Sequence, residues 1–180
     1  MSVKQTKWSY DLDKCLVELD GLHLSDSDMC SLWQISGDGS TQTCLQRNPR
    51  IWSGLRYTDG AGSFRGTDKT ESDYNVLNEM YEGTIFEDII RDLDGVRSRI
   101  MTKKMHTTYS VHKDKTPRYH LALITNPNAY FIFPTLNEIM HIPADGFVYE
   151  VDTTLPHSFV NCGEDRTHLV ISKGAHHDKV

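Results

Sequence analysis

From about residue 96 onward the chain breaks into short runs rich in β-branched and aromatic residues: VRSRIMTKKM, TTYSVH, RYHLALIT, AYFIF, EIMHI, GFVYEV, HSFV and THLVIS. Turn signals separate them, among them NPN, PTLN, PADG and NCGED. Many short strands at regular spacing predict a sandwich or a barrel. One helix precedes them. In IFEDIIRDL the side chains of Ile85, Phe86, Ile89, Ile90 and Leu93 share a face, with Thr84 placed to cap the start and Gly95 to end it. Residues 1–83 are rich in Gly, Asp, Ser and Thr and show few periodic stretches; SGDGSTQTC (36–44) and YTDGAGSFRGTD (57–68) read as loops. Trp8, Trp33 and Trp52 read as core anchors.

A chain of 180 residues suits one domain, here a β core over about 96–173 behind a loop-rich part over about 1–83. No apolar run is long enough to span a bilayer, and no apolar segment follows the basic residues of the first turn of sequence, so the expectation is a cytoplasmic protein, or a host-cytoplasmic one if viral. Lys and Arg total 19 against 25 Asp and Glu, and no basic cluster exceeds Lys103-Lys104, which argues against nucleic acid as a partner. Cys15, Cys30, Cys44 and Cys162 are too widely spaced for a paired zinc site and are expected as free thiols.

Two strands carry polar residues on one face only. In RYHLALIT, Tyr119, Leu121 and Leu123 point one way and Arg118, His120 and Ala122 the other; in RTHLVIS, Thr167, Leu169 and Ile171 oppose Arg166, His168 and Val170. Such a polar face either lies in water or lines an interior that holds an anion. A further cue is His112-Lys113-Asp114, whose imidazole and carboxylate share a side of an extended segment. A second His-x-acid, His176-His177-Asp178, stands at the end of the chain with no strand behind it and reads as a solvated tail. His157, after a proline, can supply a third ligand, and two histidines with one carboxylate leave positions open for non-haem Fe(II) oxygen chemistry. Arg166 follows across NCGED, where a hairpin would return it beside His157. Its planar fork suits the carboxylate of a dicarboxylate cosubstrate. With Fe(II), Asp114, 2-oxoglutarate and Arg166 the buried charges sum to zero, the condition under which burial is tolerable. Arg118 or His120 would then steady the other end of the cosubstrate. His23, His106 and His141 have no partner in sequence and read as surface or satisfied core groups, and Tyr109 is expected to point away from His112.

The stretch from Tyr109 to Ser172, with H-x-D, an R-x-H strand, a TNP turn, P-H-S and an R-x-H-L-V strand in that order, resembles the aspartyl/asparaginyl β-hydroxylase branch of the Fe(II)- and 2-oxoglutarate-dependent oxygenases. The resemblance covers a little over a third of the chain. It implies a double-stranded β-helix, a jelly-roll or cupin-like core, with helices outside. It implies an iron triad of His112, Asp114 and His157, an Arg166 that holds the distal carboxylate of 2-oxoglutarate, and Arg118 and His120 near that cosubstrate. Asp114 aligns the chain with members that keep the full triad, among them small bacterial and phage proteins. The implied activity is hydroxylation by dioxygen of an amino-acid side chain, free or in a peptide, with release of succinate and carbon dioxide. The residues by themselves also admit a zinc hydrolase, a non-enzymatic cupin-type binding module and an oxygenase acting on a nucleobase.

Overall fold

Alternation along the strands decides how this chain layers. A computed structural model describes residues 1–22, 34–35, 40–51 and 54–174. His23, Cys30, Trp33, Trp52, residues 36–39 and the His176-His177-Asp178 tail lie outside the described residues. The amino-terminal part contributes β1 (Val3–Ser9), α1 (Leu12–Gly21), β2 (Gln34–Ile35), β3 (Ser40–Cys44), β4 (Gln46–Arg47) and β5 (Val76–Leu77). After α2 (Ile85–Asp92) come β6 (Gly95–Lys103), β7 (Thr107–Thr108), β8 (Arg118–Ile124), β9 (Ala129–Phe133), β10 (Glu138–Met140), β11 (Phe147–Val151), β12 (Ser158–Asn161) and β13 (Arg166–Lys173).

The strands form a seven-stranded sheet in the order β1-β11-β8-β13-β6-β3-β2 and a four-stranded sheet in the order β10-β9-β12-β7, with β4 and β5 as a separate pair. All strand pairings among the described residues are antiparallel. From β6 to β13 the chain passes back and forth between the two sheets, with the β9–β10 hairpin lying wholly in the small one, so the fold is a double-stranded β-helix with few helices, as the strand pattern and the resemblance lead one to expect. The loop-rich part expected over about 1–83 in fact extends the large sheet at both edges: β1 lies beside β11, and Ser40–Cys44, expected within a loop, form β3 beside β6.

The outward face of the large sheet, with Ile100, Tyr119, Leu121, Leu123, Leu169 and Ile171, packs under Phe86, Ile89, Ile90 and Leu93 of α2 and its C-terminus. Phe131, Phe133, Ala122, Val151 and Phe159 fill part of the space between the sheets. Two local expectations change. Thr84 sits at the helix start, but its hydroxyl donates to the Tyr81 carbonyl instead of capping. Asp94 (φ +44°) makes the left-handed turn after Leu93, and Gly95 already opens β6. The absent side chain there serves packing, because a Cβ on Gly95 would lie 2.2 Å from Ile171 Cγ2. No helix among the described residues is long and apolar enough to cross a membrane.

Candidate metal centre

The polar faces of β8 and β13 look inward. Arg118, His120, Arg166 and His168 are all buried, at 6%, 5%, 3% and 1% exposure. The solvated alternative is therefore excluded for both strands.

His112 and Asp114 lie on the segment between β7 and β8, and the backbone pins that segment to the approach of β12. His112 N–H donates to the His157 carbonyl and His157 N–H to the His112 carbonyl, each at 2.9 Å; Asp114 N–H donates to the Thr153 carbonyl at 2.8 Å. Extended geometry then turns residues 112 and 114 to one side, facing His157. Candidate ligand atoms of His112, Asp114 and His157 lie within 4.8 Å of one another. The Nδ1 of His112 is 2.9 Å from the Ser110 carbonyl and that of His157 is 2.9 Å from the Leu155 carbonyl. A carbonyl only accepts, so each Nδ1 carries the proton and each Nε2 keeps its lone pair for an ion. His157 is buried, Asp114 half-buried and His112 exposed, so the cluster opens to solvent on the His112 side. Burial pushes the His157 pKa down, which favours the neutral, ligating form. Burial alone would raise the Asp114 pKa, but Arg118, His157, His112 and Arg99 together hold it below the ordinary carboxylate value.

Arg118 does not reach free into the interior. Its Nε donates to Asp114 Oδ2 at 2.9 Å and its Nη2 to Glu71 Oε1 at 2.8 Å. Arg97 Nη1 donates to the same Glu71 oxygen at 2.8 Å, and Thr116 to the other oxygen. The expectation that Arg118 steadies the cosubstrate gives way to a different position: its fork is committed to two carboxylates, one of them a candidate ligand.

Arg166 lies at the opposite end of β13 from Ser172, the residue across from Arg118. Its guanidinium stacks 4.4 Å from the Phe159 ring and 5.8 Å from that of Phe131. It donates to His168 Nδ1, its Nε has no partner, and no carboxylate pairs with it among the described residues. Burial lowers its pKa to about 9, so it is still charged at neutral pH. Both ring nitrogens of His120 and the Nε2 of His168 are buried without a hydrogen-bond partner. Burial first, then Arg166, pushes the pKa of both rings well below the ordinary imidazole value and keeps them neutral. These orphaned groups fit a bound dicarboxylate: buried polar atoms need partners, and a buried guanidinium needs an anion.

Arg166 is not returned beside His157 by a hairpin, because β12 joins the small sheet and β13 the large one. The two meet through Phe159, which follows His157 by two positions on the same face. Tyr109 also departs from expectation: β7 ends at Thr108, the alternation lapses, and its ring packs edge-on to His112 at 5.0 Å. His141 bonds the Ala129 carbonyl at 2.9 Å and His106 is exposed; neither joins the cluster. Cys15, Cys44 and Cys162 are free thiols. Glu71, Arg97 and Arg99 were not legible as site residues. Glu71 sits in a 3-10 turn with no periodicity to point its side chain, and Arg97 (φ +51°) turns inward at a register shift of β6 against β13.

No protein-family model and no curated protein matches this sequence. Among solved structures it is similar to a Pseudomonas putida prolyl-4-hydroxylase, with a TM-score of 0.50 and 12% identity over 97% of this chain and 94% of that one. It also matches the Rhodobacter sphaeroides SigE complex with the anti-sigma ChrR, at a TM-score of 0.38 and 12% identity over 78% of this chain and about half, 48%, of the matched chain. At these identities the prolyl-4-hydroxylase likeness is one of fold.

Proposed function

We propose that the chain is an Fe(II)- and 2-oxoglutarate-dependent dioxygenase that hydroxylates an amino-acid side chain, free or in a peptide, converting R–H, dioxygen and 2-oxoglutarate into R–OH, succinate and carbon dioxide. The observation that carries this reading is the pairing of a His-Asp-His cluster with a buried arginine, Arg166, that no carboxylate among the described residues pairs with, across one interior. A metal alone explains the cluster but leaves Arg166 without an anion. A dicarboxylate explains both. The fold shared with a prolyl-4-hydroxylase supports the same reading.

In this proposal His112, Asp114 and His157 hold Fe(II), and Arg166 takes the distal carboxylate of 2-oxoglutarate by its fork. Iron and 2-oxoglutarate together supply the activation of dioxygen. Arg118 orients the Asp114 carboxylate and keeps it ionised. His120 and His168, neutral and unpartnered, offer polar contacts along the cosubstrate, and Phe131 and Phe159 exclude water from it. The zinc-hydrolase and binding-module readings assign no task to Arg166.

The test is anaerobic titration of metal-free protein with Fe(II) and then 2-oxoglutarate, following the visible charge-transfer band of a chelated 2-oxo acid. The band should require His157, be lost in His157→Ala, and weaken at least tenfold in apparent 2-oxoglutarate affinity in Arg166→Ala. Tight zinc binding with no band in the presence of iron and 2-oxoglutarate would sink the oxygenase reading.

A further inference from the structure

Beside the groups already given roles, the interior holds another buried arginine that no carboxylate among the described residues pairs with. Arg99 on β6 is 4% exposed. Its Nη1 donates to Gln42 Oε1 at 3.1 Å, its Nε has no partner, and no carboxylate pairs with it among the described residues. Gln42 is itself aimed: its amide nitrogen donates to Ser40 Oγ at 2.8 Å, which leaves the oxygen turned to Arg99.

The surroundings sharpen the imbalance. Arg97, Arg99 and Arg118 share one interior carboxylate, Glu71, apart from Asp114, and Glu71 is already bonded by Arg97 and Arg118. Arg97 is further satisfied by the Gly60 carbonyl at 2.9 Å and by the Phe64 ring at 3.8 Å. Counting only Arg97, Arg99, Arg118, Arg166, Asp114 and Glu71 among the described residues, with Fe(II) and 2-oxoglutarate in place positive charge exceeds negative by two. Such a site is strongly unfavourable until an anion enters.

The place of Arg99 separates it from the cosubstrate seat. Arg166 is opposite Lys103 in β6, whereas Arg99 is opposite Val170, four positions and about 13 Å further along the strands. Val170 is in turn opposite His120 on β8, so Arg99 lies on the inward face with β13 between it and that ring. Along β13, Val170 is two positions from Ser172, the residue opposite Arg118, whose Nε bonds Asp114, and four from Arg166, so Arg99 lies toward the metal end.

We infer that Arg99, oriented by Gln42, is the seat for an anionic group of the substrate, a carboxylate or a phosphate, held beside the metal and apart from 2-oxoglutarate. That the bound anion is a substrate rests on the oxygenase reading; that Arg99 binds an anion does not.

Two measurements test it on the full chain. The first uses metal-free protein and isothermal titration with malonate and with inorganic phosphate at matched ionic strength. In Arg166→Gln, which removes the cosubstrate seat, one of the two should still bind, and adding Arg99→Gln should weaken it at least tenfold, with Arg99→Lys retaining part of the affinity and circular dichroism unchanged. Preference for malonate marks a carboxylate substrate and preference for phosphate a phosphorylated one. Equal binding in Arg166→Gln and in the double variant, or no anion binding in Arg166→Gln, overturns the inference. The second screens compounds that stimulate succinate release from the Fe(II)- and 2-oxoglutarate-loaded protein. Effective compounds should be anionic, and Arg99→Gln should raise their KM at least tenfold while leaving the 2-oxoglutarate KM within threefold. Stimulation confined to neutral compounds overturns it. A missing charge-transfer band with intact Arg99-dependent anion binding would remove only the oxygenase reading.

Discussion

At the scale of single residues, the candidate centre depends on groups one bond removed from the ion. Arg118 touches Asp114 with one nitrogen and Glu71 with another, so its loss frees the ligand carboxylate to rotate and leaves Glu71 bonded by Arg97 and the Thr116 hydroxyl. Partners that orient metal ligands commonly change affinity by roughly 10–100-fold. Arg118→Ala is expected to weaken Mn(II) or Co(II) binding by about that factor, read by direct metal titration, while His157→Ala removes it. Unchanged metal affinity in a folded Arg118→Ala protein would show that Asp114 needs no brace. His112, Asp114 and His157 were legible because ligand chemistry and strand spacing are local properties. The Glu71 brace was not, because it joins residues 47 positions apart in the chain.

At the scale of elements, β6 and β13 form the hinge between the helical layer and the charged interior. Their outward residues, Ile100, Leu169 and Ile171, pack under α2, while Arg99, Arg166 and His168 face inward. Phe86 is fully buried in that layer. Phe86→Ala should cost about 3–5 kcal/mol by the cavity it leaves, read as a lowered urea midpoint. The start of β6 is tighter still. Gly95→Ala places a methyl against Ile171 and should destabilise by about 1–3 kcal/mol, with a lowered Tm at unchanged metal affinity. Helix α2 and strands β8 and β13 could be read from periodicity. Strand β7 shrinks to two residues because the segment after it is shaped by bridging to His157, which no local pattern encodes.

At the scale of the whole molecule, the described residues of the sandwich bury more positive than negative charge, and Glu71 is the joint between them. Burial raises its pKa, but Arg118, the Thr116 hydroxyl, Arg97 and Arg99 outweigh that and bring it to about 2. A carboxyl depressed in the folded state stabilises the protein above its unfolded pKa and loses that contribution as pH falls through the folded value. Stability should therefore decline between about pH 4.5 and pH 2, with roughly 3 kcal/mol attributable to this group. Urea midpoints measured across that window should fall more steeply in the wild type than in Glu71→Gln, which starts lower and has no such group to protonate. Parallel curves would place the acid sensitivity elsewhere.

The sequence by itself determined the alternation, and through it which faces of β8 and β13 are apolar, and the local order of His112, Asp114, His157 and Arg166. Those follow from the two-residue repeat of a strand and from side-chain chemistry. Only the tertiary structure decided what the polar faces look at. The sheets close on each other, so arginines that a flat sheet would leave in water become an interior charge. The register shift at Arg97, the crossing of β12 and β13 between sheets and the docking of residues 54–75 through Glu71 are long-range pairings. Their direction depends on contacts between segments far apart in the chain, and no window of sequence holds both partners.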